Sequence, residues 1–293
     1  MVIATGFFDG VHLGHRFILQ QLLEEAVKRG DESMVVTFWP HPRNVLQNDA
    51  RNLRLLTSME EKKKLLADIG IDKVEVIPFS REFSRLTTED YLRDYVIAKF
   101  GGKAVLVGYD NRIGSDLCAP EQTAGIAEKL GLEVIRQVSY KTDNGIVISS
   151  TKIRNALSGG NIDEANAMLG YPYQLYGVVI SGNRLGHTIG FPTANMQLYE
   201  PLKLVPGNGV YLVKVETIGR QWDGMCNIGV RPTLGSGNAL TIETNIFDFD
   251  EDIYGLDIRL SFVKKIRNEV KFNDLALLTS QLDKDRELCR SLL

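Results

Sequence analysis

Gly6-Phe7-Phe8-Asp9-Gly10-Val11-His12-Leu13-Gly14-His15 is the densest cluster of chemically able residues in the chain. It lies between a β-branched run, Val2 to Thr5, and a stretch of helical spacing. A helix N-terminus presents unpaired N–H groups and the positive end of the backbone dipole, and both favour phosphate. Gly6, Gly10 and Gly14 permit close backbone approach, with Phe8 and Asp9 in the same nucleotide-binding loop. His12 and His15, three apart, face one ligand on a first helical turn. Two imidazoles there can donate hydrogen bonds to charge building on phosphorus during a displacement. No GxxxxGK[ST] occurs, so a P-loop mechanism is excluded.

Further stretches carry chemistry. Ile148-Ser149-Ser150-Thr151-Lys152-Ile153-Arg154 combines three hydroxyls, able to cap a helix or donate to phosphate, with the planar fork of Arg154. Thr37-Phe38-Trp39-Pro40-His41-Pro42 is a proline-stiffened loop after a strand. Gly182 to Asn195 contains glycines at 182, 186 and 190 and ends in Gly190-Phe191-Pro192-Thr193-Ala194-Asn195. Glu243 lies on a strand-like run with Ile242 and Ile246 pointing to the other face.

The elements that must position these residues fall into two patterns. Strand-like runs at Val2–Thr5, Met34–Phe38, Val74–Pro78, Ala104–Gly108 and Glu133–Gln137 alternate with helical spacing, as in βαβ units around a doubly wound parallel sheet. Ligands then belong beyond the carboxyl ends of the strands. Leu19, Leu22, Leu23 and Ala26 form one helical face that stops at Gly30, Ser58 to Glu61 reads as a capping box, and Asp143-Asn144-Gly145 as the turn of a late hairpin. Thr151 to Gly170 reads as helical, broken at Gly159-Gly160. From residue 171 six runs follow without intervening helices: Leu175–Ile180, Thr193–Gln197, Val210–Ile218, Met225–Val230, Thr241–Phe247 and Asp257–Ile266. They predict an antiparallel barrel, closed by a helix carrying Phe272, Leu275, Leu278 and Leu282. The expected domains are 1–170 and 171–293.

Composition limits the partners. Thirty-four basic and thirty-seven acidic residues give a net charge of −3, and residues 171–293 hold thirteen basic and fourteen acidic side chains. Neither half has the bias of a nucleic-acid-binding arm or of a protein that sits on an anionic membrane. No apolar run approaches the ~18 residues of a membrane span, and Met1 to Thr5 has no signal-peptide features, so a cytoplasmic location is expected. Three widely spaced cysteines, Cys118, Cys226 and Cys289, suggest neither disulfides nor zinc.

The first cluster resembles the signature of the HxGH nucleotidyltransferases, and Phe8 to His15 in particular is similar to the FMN adenylyltransferase module of bacterial FAD synthetases. Ile148 to Arg154 resembles that family's ISSTxIR stretch, which implies an ATP-triphosphate role for Ser149, Ser150, Thr151 and Arg154. Gly182 to Asn195 resembles the riboflavin kinase motif. The likeness implies a loop over ATP phosphates built on Gly182, Gly186 and Gly190, Mg²⁺ held by Thr193 and Asn195, and Glu243 as the base for the attacking hydroxyl. It gives flavin contacts to His41, Asp110 and Arg267. Asn111, Ile113 and His187 depart from the family pattern. The chain also starts close to its first strand, where the family usually has several more residues, so an edge strand could be missing. Together the resemblances imply a family that phosphorylates riboflavin to FMN and then adenylylates FMN to FAD, with ATP, riboflavin and FMN as substrates. Two alternatives use the same motifs: a chain in which one half alone is active, and a non-catalytic flavin or nucleotide sensor.

Overall fold

The computed structural model describes the chain except for residues 47–52, 109–111, 137–146, 183–184 and 233–237. It forms two compact units, Met1–Ser150 and Thr151–Leu293. The predicted Asp143-Asn144-Gly145 hairpin turn lies outside the described residues.

In the first unit the chain runs through β1 (Val2–Thr5), α1 (Leu13–Arg29), β2 (Ser33–Trp39), the short α2 (Pro42–Leu46), α3 (Met59–Ile69) and β3 (Lys73–Pro78). It continues through α4 (Thr88–Asp90), extended as a π-helix over Tyr91–Lys99, then β4 (Ala104–Val107), α5 (Pro120–Lys129) and β5 (Glu133–Arg136). The strands are all parallel, in the order β3-β2-β1-β4-β5. Side chains of β1 alternate between two cores. Ile3 packs with Val36, Leu92, Val96 and Val105 on one face, and Val2 and Ala4 pack with Leu19, Leu22 and Leu66 on the other. A parallel sheet buried on both faces needs such continuously apolar strands. The expected punctuation is present: Gly30 ends α1 at φ 63, and Ser58 and Glu61 cap α3 reciprocally.

Strand order reverses at β1, because the chain winds outward to β2 and β3 and then returns to the other side for β4 and β5. The crevice at the carboxyl end of such a switch strand is where an open α/β sheet binds ligands. The Gly-rich loop leaves β1 at that point.

The second unit begins with α6 (Ser150–Ser158) and α7 (Ile162–Leu169), separated at the predicted glycine break. These helices, grouped from sequence with residues 1–170, pack on the barrel instead. Gly207 N–H donates to the Leu157 carbonyl at 2.9 Å, and Asn166 Nδ2 donates to the Phe262 carbonyl at 2.9 Å. Burial of Leu157, Ile162 and Leu169 accompanies those bonds. β6 (Gln174–Ile180), β7 (Ala194–Leu198), β8 (Gly209–Thr217), β9 (Arg220–Pro232), β10 (Asn238–Ile246) and β11 (Asp257–Arg267) close a barrel in the order β10-β7-β6-β11-β8-β9. All its pairings are antiparallel.

Two details differ from expectation. A short helix, α8 (Leu185–Thr188), interrupts the run of strands, and the terminal helix, α9 (Leu275–Ser291), starts after Phe272. Asp274 caps α9 by accepting from the Ala276 N–H at 2.8 Å, which fixes the start and leaves Phe272 in the preceding loop. Among the described residues no helix is long and apolar enough to cross a membrane.

A buried ion pair fastens the terminal helix, beside the more exposed pair of Arg290 with Asp248. Arg267 Nε lies 2.9 Å and Nη2 2.7 Å from Asp285 Oδ2, and Gln281 Nε2 donates to Asp285 Oδ1 at 2.9 Å. The Asp285 side chain is only 2% exposed. Removing one partner of a buried pair strands the other charge, at a cost of roughly 3 kcal/mol. Asp285→Ala is therefore expected to lower the unfolding midpoint of the barrel in urea, followed by the fluorescence of Trp222; an unchanged midpoint would show that the pair contributes little.

Candidate active sites

In the first unit, Asp9 anchors the loop after β1. Its carboxylate accepts from the Leu56 and Thr57 N–H groups, each at 3.1 Å, and from the Thr57 hydroxyl at 3.2 Å, while the same hydroxyl accepts from Gly10 N at 3.1 Å. Asp9, read from sequence as a nucleotide-binding residue, is thus a brace: its oxygens are taken by donors from the segment before α3. The fastened loop holds Phe8 at φ 47 and Val11 at φ 35, both buried. Such values cost an L-residue of order 1 kcal/mol or more, so they persist only where surrounding contacts impose them.

His12 and His15 come together as predicted. Their rings stack with centroids 3.6 Å apart, and His15 N–H donates to His12 Nδ1 at 3.3 Å, so His12 is the N-cap of α1. Because Nδ1 accepts, the neutral His12 ring carries its proton on Nε2. Burial, reinforced by the charges of His12 and then Lys62, holds His15 well below the usual histidine range. His15 Nδ1 is buried without a hydrogen-bond partner. Gly14 is dictated by space, since a Cβ there would stand 3.2 Å from the His12 ring. Gly6 is similarly confined, 3.0 Å from the Phe8 ring. Phe8 meets His15 edge-on at 5.3 Å, and His41 stacks on Phe7 at 4.6 Å.

Ser150 reaches this loop, donating from Oγ to the Asp9 carbonyl at 3.0 Å. Ser149 lies just before α6, with exposed Thr151 and half-buried Arg154 on its first turns. Asp110 and Asn111 lie outside the described residues. Ile113 is a core residue, buried with Phe38 and Tyr91.

In the barrel, Glu243 sits in the middle of β10, directly opposite Asn195 of β7 on one side and Asn227 of β9 on the other. Thr241, Glu243 and Asn245 share one strand face and line a cavity of about 230 Å³ together with Thr193, Asn195 and Arg267. Apolar walls from Phe191, Met225, Phe272, Leu278 and Leu282 complete it. A second cavity, of about 340 Å³, opens on the other strand face, lined by Thr244, Ile246, Phe249 and Tyr254, and it also reaches Thr193. Thr193 therefore stands between two chambers. The glycines ahead of it are spatially required: a Cβ on Gly182 would fall 2.2 Å from Asn195 Nδ2, and one on Gly186 2.2 Å from the Phe191 carbonyl. Asn245 donates to the Pro192 carbonyl at 2.7 Å and fixes the turn. Gly190 adopts φ 78 at the end of the same loop. Arg267 lines the cavity, and its fork is held by Asp285.

Two family models divide the chain: FAD synthetase matches residues 1–152 and riboflavin kinase residues 169–293. Bifunctional riboflavin kinase/FMN adenylyltransferases of Listeria monocytogenes and Escherichia coli are each 38% identical, covering 99% of this chain and 91% of theirs. The Bacillus subtilis relative is 37% identical over 98% of this chain and 90% of its own. This chain belongs to the bifunctional riboflavin kinase/FMN adenylyltransferase family. A crystal structure described as a macrolide-efflux protein from Streptococcus pneumoniae shares the fold, with a TM-score of 0.90 and 32% identity over 99% of this chain and 93% of that one.

For a member of this family, several contributors escape motif reading. Thr57, Lys62 and Asp285 touch or support the sites, yet none has a spacing that marks it. Asp285 looks like an ordinary charge on a terminal helix, and Lys62 like the first of three solvated lysines.

Gly14→Ala is expected to displace the His12 ring and cut FAD formation while leaving riboflavin phosphorylation intact, measured in separate assays. The pH dependence of the first unit has a definite sign. An unfolded histidine binds a proton near pH 6.5, whereas folded His15 resists doing so, so stability falls as pH drops below that value. Denaturation midpoints of the wild type and His15→Gln between pH 7.5 and 5 check this; the variant is expected to lose less stability on acidification.

Proposed function

We propose that the barrel transfers the γ-phosphoryl group of ATP to the 5′-hydroxyl of riboflavin, and that the first unit then joins the resulting FMN to a second ATP. The work divides between residues 171–293 and residues 1–170, although α6 and α7 pack with the barrel. The observation that carries the kinase assignment is the cross-strand pairing of Glu243 with Asn195 on the wall of a cavity that Thr193 also lines.

Glu243 takes the proton of the riboflavin hydroxyl as that oxygen attacks the γ-phosphorus, and ADP departs. The Thr193 hydroxyl and the Asn195 side-chain carbonyl are hard-oxygen donors suited to Mg²⁺. The missing Cβ of Gly182 lets the loop lie directly against Asn195. Mg²⁺, when bound, neutralises charge on the transferring phosphates. Thr193 and Asn195 would hold it, supported by the bond of Asn245 to Pro192. The two chambers meeting at Thr193 support nucleotide on one side and flavin on the other.

In the first unit an FMN phosphate oxygen attacks the α-phosphorus of ATP, and pyrophosphate leaves. The enzyme needs no covalent intermediate. The His12 Nε2–H, whose tautomer is set by the bond from His15, donates to charge developing on phosphorus, and neutral His15 stands beside it. Ser149, Ser150, Thr151 and Arg154 hold the triphosphate, and Gly6, Gly10 and Gly14 let the backbone approach. His41 and Asp110 contact the flavin nucleotide. As a cytoplasmic enzyme, it works on small molecules and uses no nucleic acid or membrane.

Two variants separate the reactions. Glu243→Gln is expected to slow riboflavin phosphorylation ~100-fold or more while FMN adenylylation continues. His12→Ala does the reverse, with a loss of ~100-fold in FAD formation from FMN. Flavins separated after incubation with ATP and Mg²⁺ give both rates. Unimpaired phosphorylation by Glu243→Gln would remove Glu243 from the mechanism.

A further inference from the structure

Lys62 is enclosed where no motif calls for a cation. It lies on α3 one turn before buried Leu66, so it occupies a position on the face that packs toward the sheet. It is only 5% exposed, and the neighbouring Thr37 and Asp9 are 0% and 4% exposed. Its Nζ donates to Thr37 Oγ1 at 3.5 Å, and the Thr37 hydroxyl in turn donates to the Phe7 carbonyl at 3.2 Å. That relay ends inside the loop that carries Phe8, Asp9 and the stacked histidines.

Burying an ammonium is costly, and burial pushes Lys62 below the usual lysine range, while the carboxylate of Asp9 opposes that shift by favouring the ionised form. The same Asp9 holds the loop through Leu56 and Thr57, the residues that lead into α3. The cation, the loop and the strand end are thus joined by one set of bonds.

We propose that Lys62 is a positioning residue for adenylyl transfer, bracing the Gly-rich loop through Thr37 and placing a positive charge near the His12–His15 stack. This inference rests on the adenylyl-transfer reading of the first unit. Charged and titratable groups on the elements packed around the stack are Asp9 and His12 from the loop, Arg16 from α1, Lys62 from α3 and His41 from the segment after β2. Of these, His12 and Lys62 disfavour a second proton on the pair, and burial does so most strongly. A cation also favours accumulating negative charge at phosphorus, so Lys62 serves the transition state without touching it.

The test uses full-length protein and three variants. Lys62→Met removes the charge, Lys62→Arg keeps it, and Thr37→Val keeps the charge but cuts the relay. With four histidines in the chain, NMR resolves the titration of His15 directly. In Lys62→Met, His15 and the acid limb of the FAD-forming rate are expected to move up by on the order of one pH unit. At pH 6, kcat falls about tenfold while KM for ATP stays within about twofold, the split expected when transition-state stabilisation is lost. Lys62→Arg retains the wild-type titration, and Thr37→Val lowers kcat without moving it. Riboflavin phosphorylation by the barrel stays at the wild-type rate, and the chemical-shift dispersion of the first unit in the same NMR spectra reports that each variant is folded. If Lys62→Met unfolds, the Arg and Val variants still decide the matter. A His15 titration unchanged in Lys62→Met, a shift in Lys62→Arg equal to that in Lys62→Met, or a Thr37→Val kcat equal to wild type overturns the proposal. The NMR titration needs no turnover, so a wild-type protein that made no FAD would overturn the functional reading separately.

Discussion

The bonds that Asp9 accepts from Leu56, Thr57 and the Thr57 hydroxyl are the constraint on which the first unit depends. Here the chain leaving β1 turns through backbone values that L-residues disfavour before α1 begins with its N–H groups open. Phe8 and Val11 take those values, and their burial together with the Asp9 bonds offsets the strain. With the turn held, His12 caps α1 through Nδ1, its tautomer follows, and His15 is pressed against it. Glycine at position 14 is then a packing requirement of the histidine pair.

The barrel solves a different problem. A kinase base must be held beside phosphate oxygens, which it repels, so its backbone must be immobile. Closing the sheet does this for Glu243, the base we propose, by flanking it with Asn195 and Asn227 on partner strands. Period-two alternation along β10 then sends Thr241, Glu243 and Asn245 to one chamber, and Thr244 and Ile246 to the other. Thr193 lines both chambers, at the end of a turn pinned by Asn245. The Arg267–Asp285 pair adds α9 to the cavity, so that Leu278 and Leu282 become walls rather than surface.

Much of this was legible along the chain. Parallel strands announced themselves by apolar runs, α3 by Ser58 and Glu61, and both sites by glycines next to residues that handle phosphate. The misjudged details share a cause. Asp9 lies inside the motif, yet the partners of its carboxylate are 47 and 48 residues away. Phe272 fits the helical spacing of α9 yet precedes its cap, since one side-chain bond from Asp274 outweighs periodicity at a helix end. The helices of 151–170 could have packed with either half, because their apolar faces carry no record of which surface covers them.

By itself, then, the sequence determined the local chemistry: which loops can approach phosphate, which strands alternate, where helices start, and that two such sites share one chain. These follow from nearest-neighbour properties, namely glycine's missing Cβ, hydroxyl caps and side-chain period. Only the tertiary structure decided what those residues experience. It buried Lys62 near the stack, spent Asp9 on a brace, tied Arg267 to Asp285 and stood Thr193 between two chambers. Desolvation and the pairing of charges depend on residues far apart in the chain, and no local spacing encodes them.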